Sequence, residues 1–121
     1  MNESGLYRFL GAAKKSSLVH RVIDEEDYLK LYTDILLGVS SDYLNLYIME
    51  DDDGVYLIDC NNVYAIMDGF YDLNEERMEK AAIEAGLIYD AYRFYIKITP
   101  SKLEDGIKRF GVLVKALEKY R

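Results

Sequence analysis

Cysteine and histidine each occur once in this chain, and tryptophan does not occur at all. A single cysteine closes no internal disulfide, which excludes a small disulfide-stapled scaffold and makes a reducing compartment the expectation, namely the bacterial or phage-infected cytoplasm. So few nucleophile, base and soft metal-ligand residues also disfavour catalysis, and no glycine-rich phosphate loop, GxSxG, CxxC, HExxH or dinucleotide fingerprint is present. Proline occurs once, and no Gly/Ser-rich run, low-complexity tract or internal repeat marks a linker, so residues 1–121 read as a single domain. The apolar runs fall far short of the ~18 residues of a membrane span. Arg8 interrupts the stretch from Gly5 to Ala13 and no cleavage-site pattern follows, so a secretory signal is not expected.

Hydrophobic residues make up 50% of the sequence, enough for a real core and too many for wholesale disorder. Charge is unevenly spread. Residues 1–23 carry a net +3, residues 24–79 carry 16 acids against two bases for −14, and residues 80–121 carry +4, within a total of −7. Phosphates must be met by lysine and arginine, so an acidic middle argues against direct nucleic-acid binding there. It favours a basic partner, or internal neutralisation by the chain's own basic C-terminal helix.

The most legible stretch is Tyr43 to Cys60, which predicts a β-hairpin. Leu44, Leu46 and Ile48 fall on one side of an extended chain and Tyr43, Asn45, Tyr47 and Met49 on the other. Beyond the turn, Val55, Leu57 and Asp59 alternate with Tyr56, Ile58 and Cys60, and Asp53-Gly54 is a hairpin turn signal. Four consecutive acids, Glu50, Asp51, Asp52 and Asp53, resist burial and mark a solvated tip.

Elsewhere, Asn2 to Lys15 predicts a short helix with Leu6, Phe9, Leu10 and Ala13 on one stripe. Leu18 to Ile23 and Tyr28 to Ile35 flank Asp24-Glu25-Glu26-Asp27 as a second hairpin. A helix also fits Tyr28 to Leu37, but Leu29, Leu31, Thr33 and Ile35 alternating with Tyr28, Lys30 and Tyr32 favours a strand. Asn61-Asn62 turns the chain, and Val63 to Met67 is either extended or a helical turn. Asp72 with Glu75 reads as a capping box before a helix that buries Met78, Ala81, Ala82 and Ala85 and ends at Gly86. Leu87 to Tyr89 and Phe94 to Ile98 form a third strand pair. Pro100-Ser101 stops it, and Ser101 with Glu104 repeats the capping box. The last helix carries Leu103, Ile107, Phe110, Val114 and Leu117 in one stripe, with Lys108, Arg109, Lys115 and Lys119 outside. The expected class is therefore α+β: an antiparallel sheet of hairpins with two or three helices, the long C-terminal helix packed on the sheet.

DYLNLYIMEDDDGVYLID at 42–59, a helix ending in EAGL at 84–87, and YIKITP at 95–100 before the last helix together resemble an uncharacterised bacterial and prophage family, domain of unknown function 1828. The resemblance covers roughly the last two-thirds of the chain. It implies an α+β fold and a mobile-element setting, and it implies no established activity. Members usually look like an Asp-rich step with a glycine after the second hairpin strand, where this chain reads Asp59-Cys60-Asn61-Asn62.

Candidate chemistry is sparse. Glu50 to Asp53 with Asp59 could offer oxygen ligands to a divalent cation, but an EF-hand loop counted back from Gly54 would need an oxygen ligand where Met49 stands and a glutamate where Cys60 stands. Cys60 would need a base to act as a nucleophile, and a small buried thiol is the expectation. His20 reads as a strand-surface residue. Twelve tyrosines remain, of which Tyr28, Tyr32, Tyr43, Tyr47 and Tyr56 fall on alternating positions. They form either a packed face under the last helix or a set of interface anchors. The favoured expectation is a non-catalytic module, without cofactor or metal, monomer or homodimer, that binds no nucleic acid or membrane. It would engage a basic protein surface through Tyr43, Tyr47, Tyr56, Asp24, Glu25, Glu26, Asp27, Glu50, Asp51, Asp52 and Asp53, as an inhibitor or an adaptor. The alternatives are a metal-dependent hydrolase using Asp51, Asp53 and Asp59, and a structural subunit whose last helix pairs with its own copy.

Overall fold

The computed structural model describes residues 6–121. Alternation sets its main surface: Leu29, Leu31 and Thr33 on one strand and Leu44, Leu46 and Ile48 on the next are fully buried on one side of the sheet. The strands are β1 (Val19–Asp24), β2 (Tyr28–Leu36), β3 (Tyr43–Asp51), β4 (Gly54–Ile58), β5 (Ile88–Asp90) and β6 (Arg93–Lys97). They form one antiparallel sheet in the order β1-β2-β3-β4-β6-β5. The Tyr28 stretch is thus a strand, as its alternation requires.

Helices α1 (Tyr7–Lys15), α2 (Asn62–Met67), α3 (Glu75–Ala85) and α4 (Leu103–Glu118) complete the domain. Leu6, Phe9 and Ala13 of the first helical stretch are buried and Leu10 is half-buried, while its expected start at Asn2 lies outside the described residues. Val63 to Met67 takes the helical alternative. Leu103, Ile107, Phe110, Val114 and Leu117 of α4 are at most 2% exposed and belong to the same core as the sheet leucines. Gly106 permits the approach, because a Cβ there would lie 3.1 Å from Leu57 Cδ2. The stripe that was also read as a seam for a second copy is thus spent on the chain's own core.

Both expected capping boxes are corrected. Asn74, not Asp72, caps α3, its side chain accepting from the Arg77 amide at 2.8 Å, while the Asp72 carboxylate accepts from the Arg77 guanidinium at 2.9 Å. Ser101 caps nothing: Pro100–Lys102 is a 3-10 turn leading into α4, so the serine already lies inside a helical turn. Gly86 does end α3 in the left-handed region, at φ +72°.

The packed-face reading of the tyrosines also fails. The helices cover the leucine side, and Tyr28, Tyr32, Tyr47 and Tyr56 stand on the other side, half-buried and uncovered.

Candidate functional site

Strand register decides where the acids go. Tyr28 pairs with Met49, and Asp51 pairs with Gly54, so the β1–β2 and β3–β4 turns sit side by side at one end of the sheet. All eight acids of Asp24–Asp27 and Glu50–Asp53 are exposed. Of the eight, Asp53 alone has an ion-pair partner among the described residues, Lys97 Nζ at 3.8 Å. The helix lysines Lys108 and Lys115 neutralise none of them. The other eight acids of residues 24–79 lie elsewhere: Asp34 pairs with His20 at 2.9 Å, Asp72 with Arg77, Asp59 is buried, and the rest lie in the β2–β3 connection and along α2 and α3. The acidic segment is therefore one concentrated end and a dispersed remainder.

The Asp53 carboxylate also accepts from the Tyr56 hydroxyl at 2.6 Å. That hydrogen bond, then the charge of Lys97, holds Asp53 below the usual carboxylate range. The same bond is the first cause, ahead of burial, of the Tyr56 phenol being pushed up to about 12. Asp51 Oδ1 accepts from the amides of Asp53 and Gly54 at 2.8 and 3.1 Å, which shapes the turn.

The tyrosine surface meets this end at Tyr56, which bonds Asp53, and farther along it carries cations. Lys30 Nζ lies 4.9 Å from the ring centre of Tyr32 and 5.7 Å from that of Tyr47, and Arg21 lies 5.6 Å over Tyr32. The Tyr32 hydrogen bond raises the Lys30 ammonium; burial, the next cause, opposes it, and the charges of Tyr47 and Tyr32 add to the rise. Tyr28 meets Tyr47 edge to face at 5.7 Å. Tyr43 opens β3 opposite Leu36, so it lies roughly 27 Å along the strand from Asp51, away from the acidic end.

Between the acidic end and the β5–β6 hairpin runs a groove of about 330 Å³ lined by Met49, Glu50, Asp51, Tyr56, Ile58, Asp90, Arg93 and Tyr95. Tyr56 and Tyr95 form its aromatic wall, centroids 5.8 Å apart at 76°. Asp90, Arg93 and Tyr95 were not among the sequence-derived candidates. Tyr95 reaches the groove because β6 skips past β5 and pairs with β4, setting Tyr95 opposite Ile58.

Asp59 is no surface ligand. Fully buried at the far end of β4, it accepts from the Val63 amide at 3.0 Å and the Phe94 amide at 2.9 Å, tying β4 to the first turn of α2 and the start of β6. Burial pushes its carboxyl up to about 6, the amides of Phe94 and Val63 opposing that rise. Asp51, Asp53 and Asp59 therefore do not converge, and no cluster of three or more His, Cys, Asp and Glu that could hold a metal is gathered among the described residues. The clue in the sequence was an aspartate on the inward phase of Val55, Leu57 and Asp59.

Cys60 corrects the expectation of a buried thiol. It is an exposed residue at φ +49°, followed by Asn61 at +68°. Its sulfur rests 4.0 Å from Met49 Sδ, and partial burial, then the Asp59 charge, raise the thiol above its ordinary value, the reverse of nucleophile activation. His20 is an exposed strand residue three strands away in the sheet. No helix among the described residues is long and apolar enough to cross a membrane. Comparison with family models, curated proteins and solved structures found no match, so the resemblance at 42–59, 84–87 and 95–100 rests on those residues alone.

Proposed function

We propose that the protein is a non-catalytic binding module of the cytoplasm, encoded by a mobile element, which occupies a basic surface on a partner protein. One observation carries this reading: seven of eight exposed carboxylates on two adjacent turns have no ion-pair partner among the described residues. Such a concentration of one charge raises the local concentration of cationic partners and steers their approach. The neighbouring Tyr47 and Tyr56 add large, half-buried contact area beside it. Where the partner's basic surface normally holds nucleic acid, the carboxylates take the place of phosphates and the module inhibits by occupation.

The test is capture from host lysate at stepped salt concentrations, read by mass spectrometry, beside the E25K/E26K/D51K/D52K variant. A specific partner should be lost on raising salt from 0.05 to 0.5 M (an order-of-magnitude range, about one decade) and should be absent with the variant. A partner retained equally by the folded variant and at high salt would defeat the reading.

A further inference from the structure

We propose that the groove across β3, β4 and β6 binds a short extended segment of a partner protein, one that carries a basic side chain at one end, apolar side chains in the middle and an acidic group at the other. This deepens the acidic-end reading and rests on it, since Glu50 and Asp51 belong to both surfaces.

Charge complementarity selects the occupant. One end of the groove is made by Glu50 and Asp51, neither of which has an ion-pair partner among the described residues. The other end holds Arg93, whose guanidinium meets Asp90 only loosely, at 3.7 Å, with both side chains substantially exposed at 46% and 65%. A pair that open is worth little and yields readily to a better acceptor. Between the charged ends lie Met49, Tyr56, Ile58 and Tyr95, none of them covered by a helix.

The floor is held in shape for this purpose. The Tyr56 hydroxyl is fixed on Asp53, which orients its ring, and Tyr95 meets that ring edge to face, so an arriving arginine stem or leucine finds a wall already ordered. Lys97 is drawn toward Asp53 and does not compete for Glu50.

Shape selects an extended chain. At about 330 Å³ the groove is at the small end of the ~300–1,000 Å³ of pockets that enclose small molecules, and it lies open on a sheet surface. Crossing two strand spacings and running most of the length of β4, it separates its charged ends by on the order of 20 Å at the backbone, which an extended chain of about five or six residues covers. Backbone pairing plays no part, because β3, β4 and β6 each have strand neighbours on both sides. Recognition is by side chains alone.

The experiment is calorimetric titration of the full chain with an acetylated, amidated peptide bearing two arginines, three leucines and two glutamates in that order. Comparison peptides replace the arginines by glutamine, the leucines by serine, or the glutamates by lysine. The protein variants are E50K/D51K, Tyr95→Ser, Arg93→Glu and, outside the groove, E25K/E26K, each checked for folding by thermal unfolding. The proposal expects at least a tenfold loss with E50K/D51K, with Y95S and with each neutralised or leucine-free peptide. It also expects Arg93→Glu to prefer the peptide whose glutamates have become lysines, a reciprocal switch that a general attraction to cations would not give. Affinity lost with E25K/E26K and indifferent to Y95S and R93E would overturn the groove while leaving the acidic-end reading standing. Equal binding of all peptides, or none by well-folded protein at millimolar peptide, would overturn the groove as well, and the lysate capture would then judge the acidic end separately.

Discussion

Asp53 and Asp59 stand on either side of the same short strand, and the protein treats them in opposite ways. Asp53 is solvated, joined to a phenol and an ammonium, and held more acidic than usual. Asp59 is fully buried, faces backbone amides, and is held less acidic, at about 6. A carboxylate at the tip keeps its charge available to a partner, whereas a carboxylate in the core is committed to the chain's own amides. The difference is set by position along the chain and not by residue type: Asp53 lies in the solvated turn before β4, whereas Asp59 leaves the other end of β4 on the inward side of Val55 and Leu57, where α2 and β6 close over it.

The sharpest way to break the comparison is Asp59→Ala, which strands the amides of Val63 and Phe94 in the core. It should cost about 2–4 kcal/mol in a urea melt, the usual consequence of buried unsatisfied donors. Next comes pH. The folded-state pKa of Asp59 is raised above an unfolded value near 3.9, so its contribution is fully present below about pH 4 and is lost as pH rises through about 6. The difference in stability between wild type and Asp59→Asn should therefore shift by about 1–3 kcal/mol against wild type from pH 4 to pH 7, and a pH-independent difference would contradict the burial account. At the tip, Asp53→Asn should lower the Tyr56 phenol toward 10 in a spectrophotometric titration while leaving the urea midpoint nearly unchanged, because exposed pairs contribute little. The smallest effect belongs to Tyr89→Phe. The Tyr89 hydroxyl is buried with no partner in good hydrogen-bond geometry among the described residues, and burial, then the Glu75 carboxylate, push it up to about 12. Its removal should be neutral or stabilising by up to about 1 kcal/mol.

What the sequence shows of this molecule follows its local periodicity. Leu44, Leu46 and Ile48 declared the inward side of β3, the two acidic tips followed from the cost of burying four charges, and the α4 stripe declared a core-facing helix. Local signals failed where neighbours compete. Asp72 and Asn74 are both good caps two residues apart, and Arg77 binds both, taking the Asp72 carboxylate with its guanidinium and donating its amide to Asn74. Pro100 starts a 3-10 turn and carries Ser101 past the capping position. Signals also failed where partners are distant in the chain. Nothing near Asp59 announces Phe94, and nothing near Tyr56 announces Tyr95 or Arg93, so the groove and its charged far end emerge only once β6 has found β4.

That late meeting has a kinetic consequence. From β1 to β4 every strand pairs with its immediate successor, so zippering through tight turns needs little loop closure. Joining β6 to β4 brings together residues such as Asp59 and Phe94, 35 positions apart, with α2, α3 and β5 gathered in between. Contacts so far apart in the chain form slowly. The β4–β6 seam should thus be the last part of the sheet to acquire amide-exchange protection during refolding, and a meander without its closing strand is the intermediate to look for.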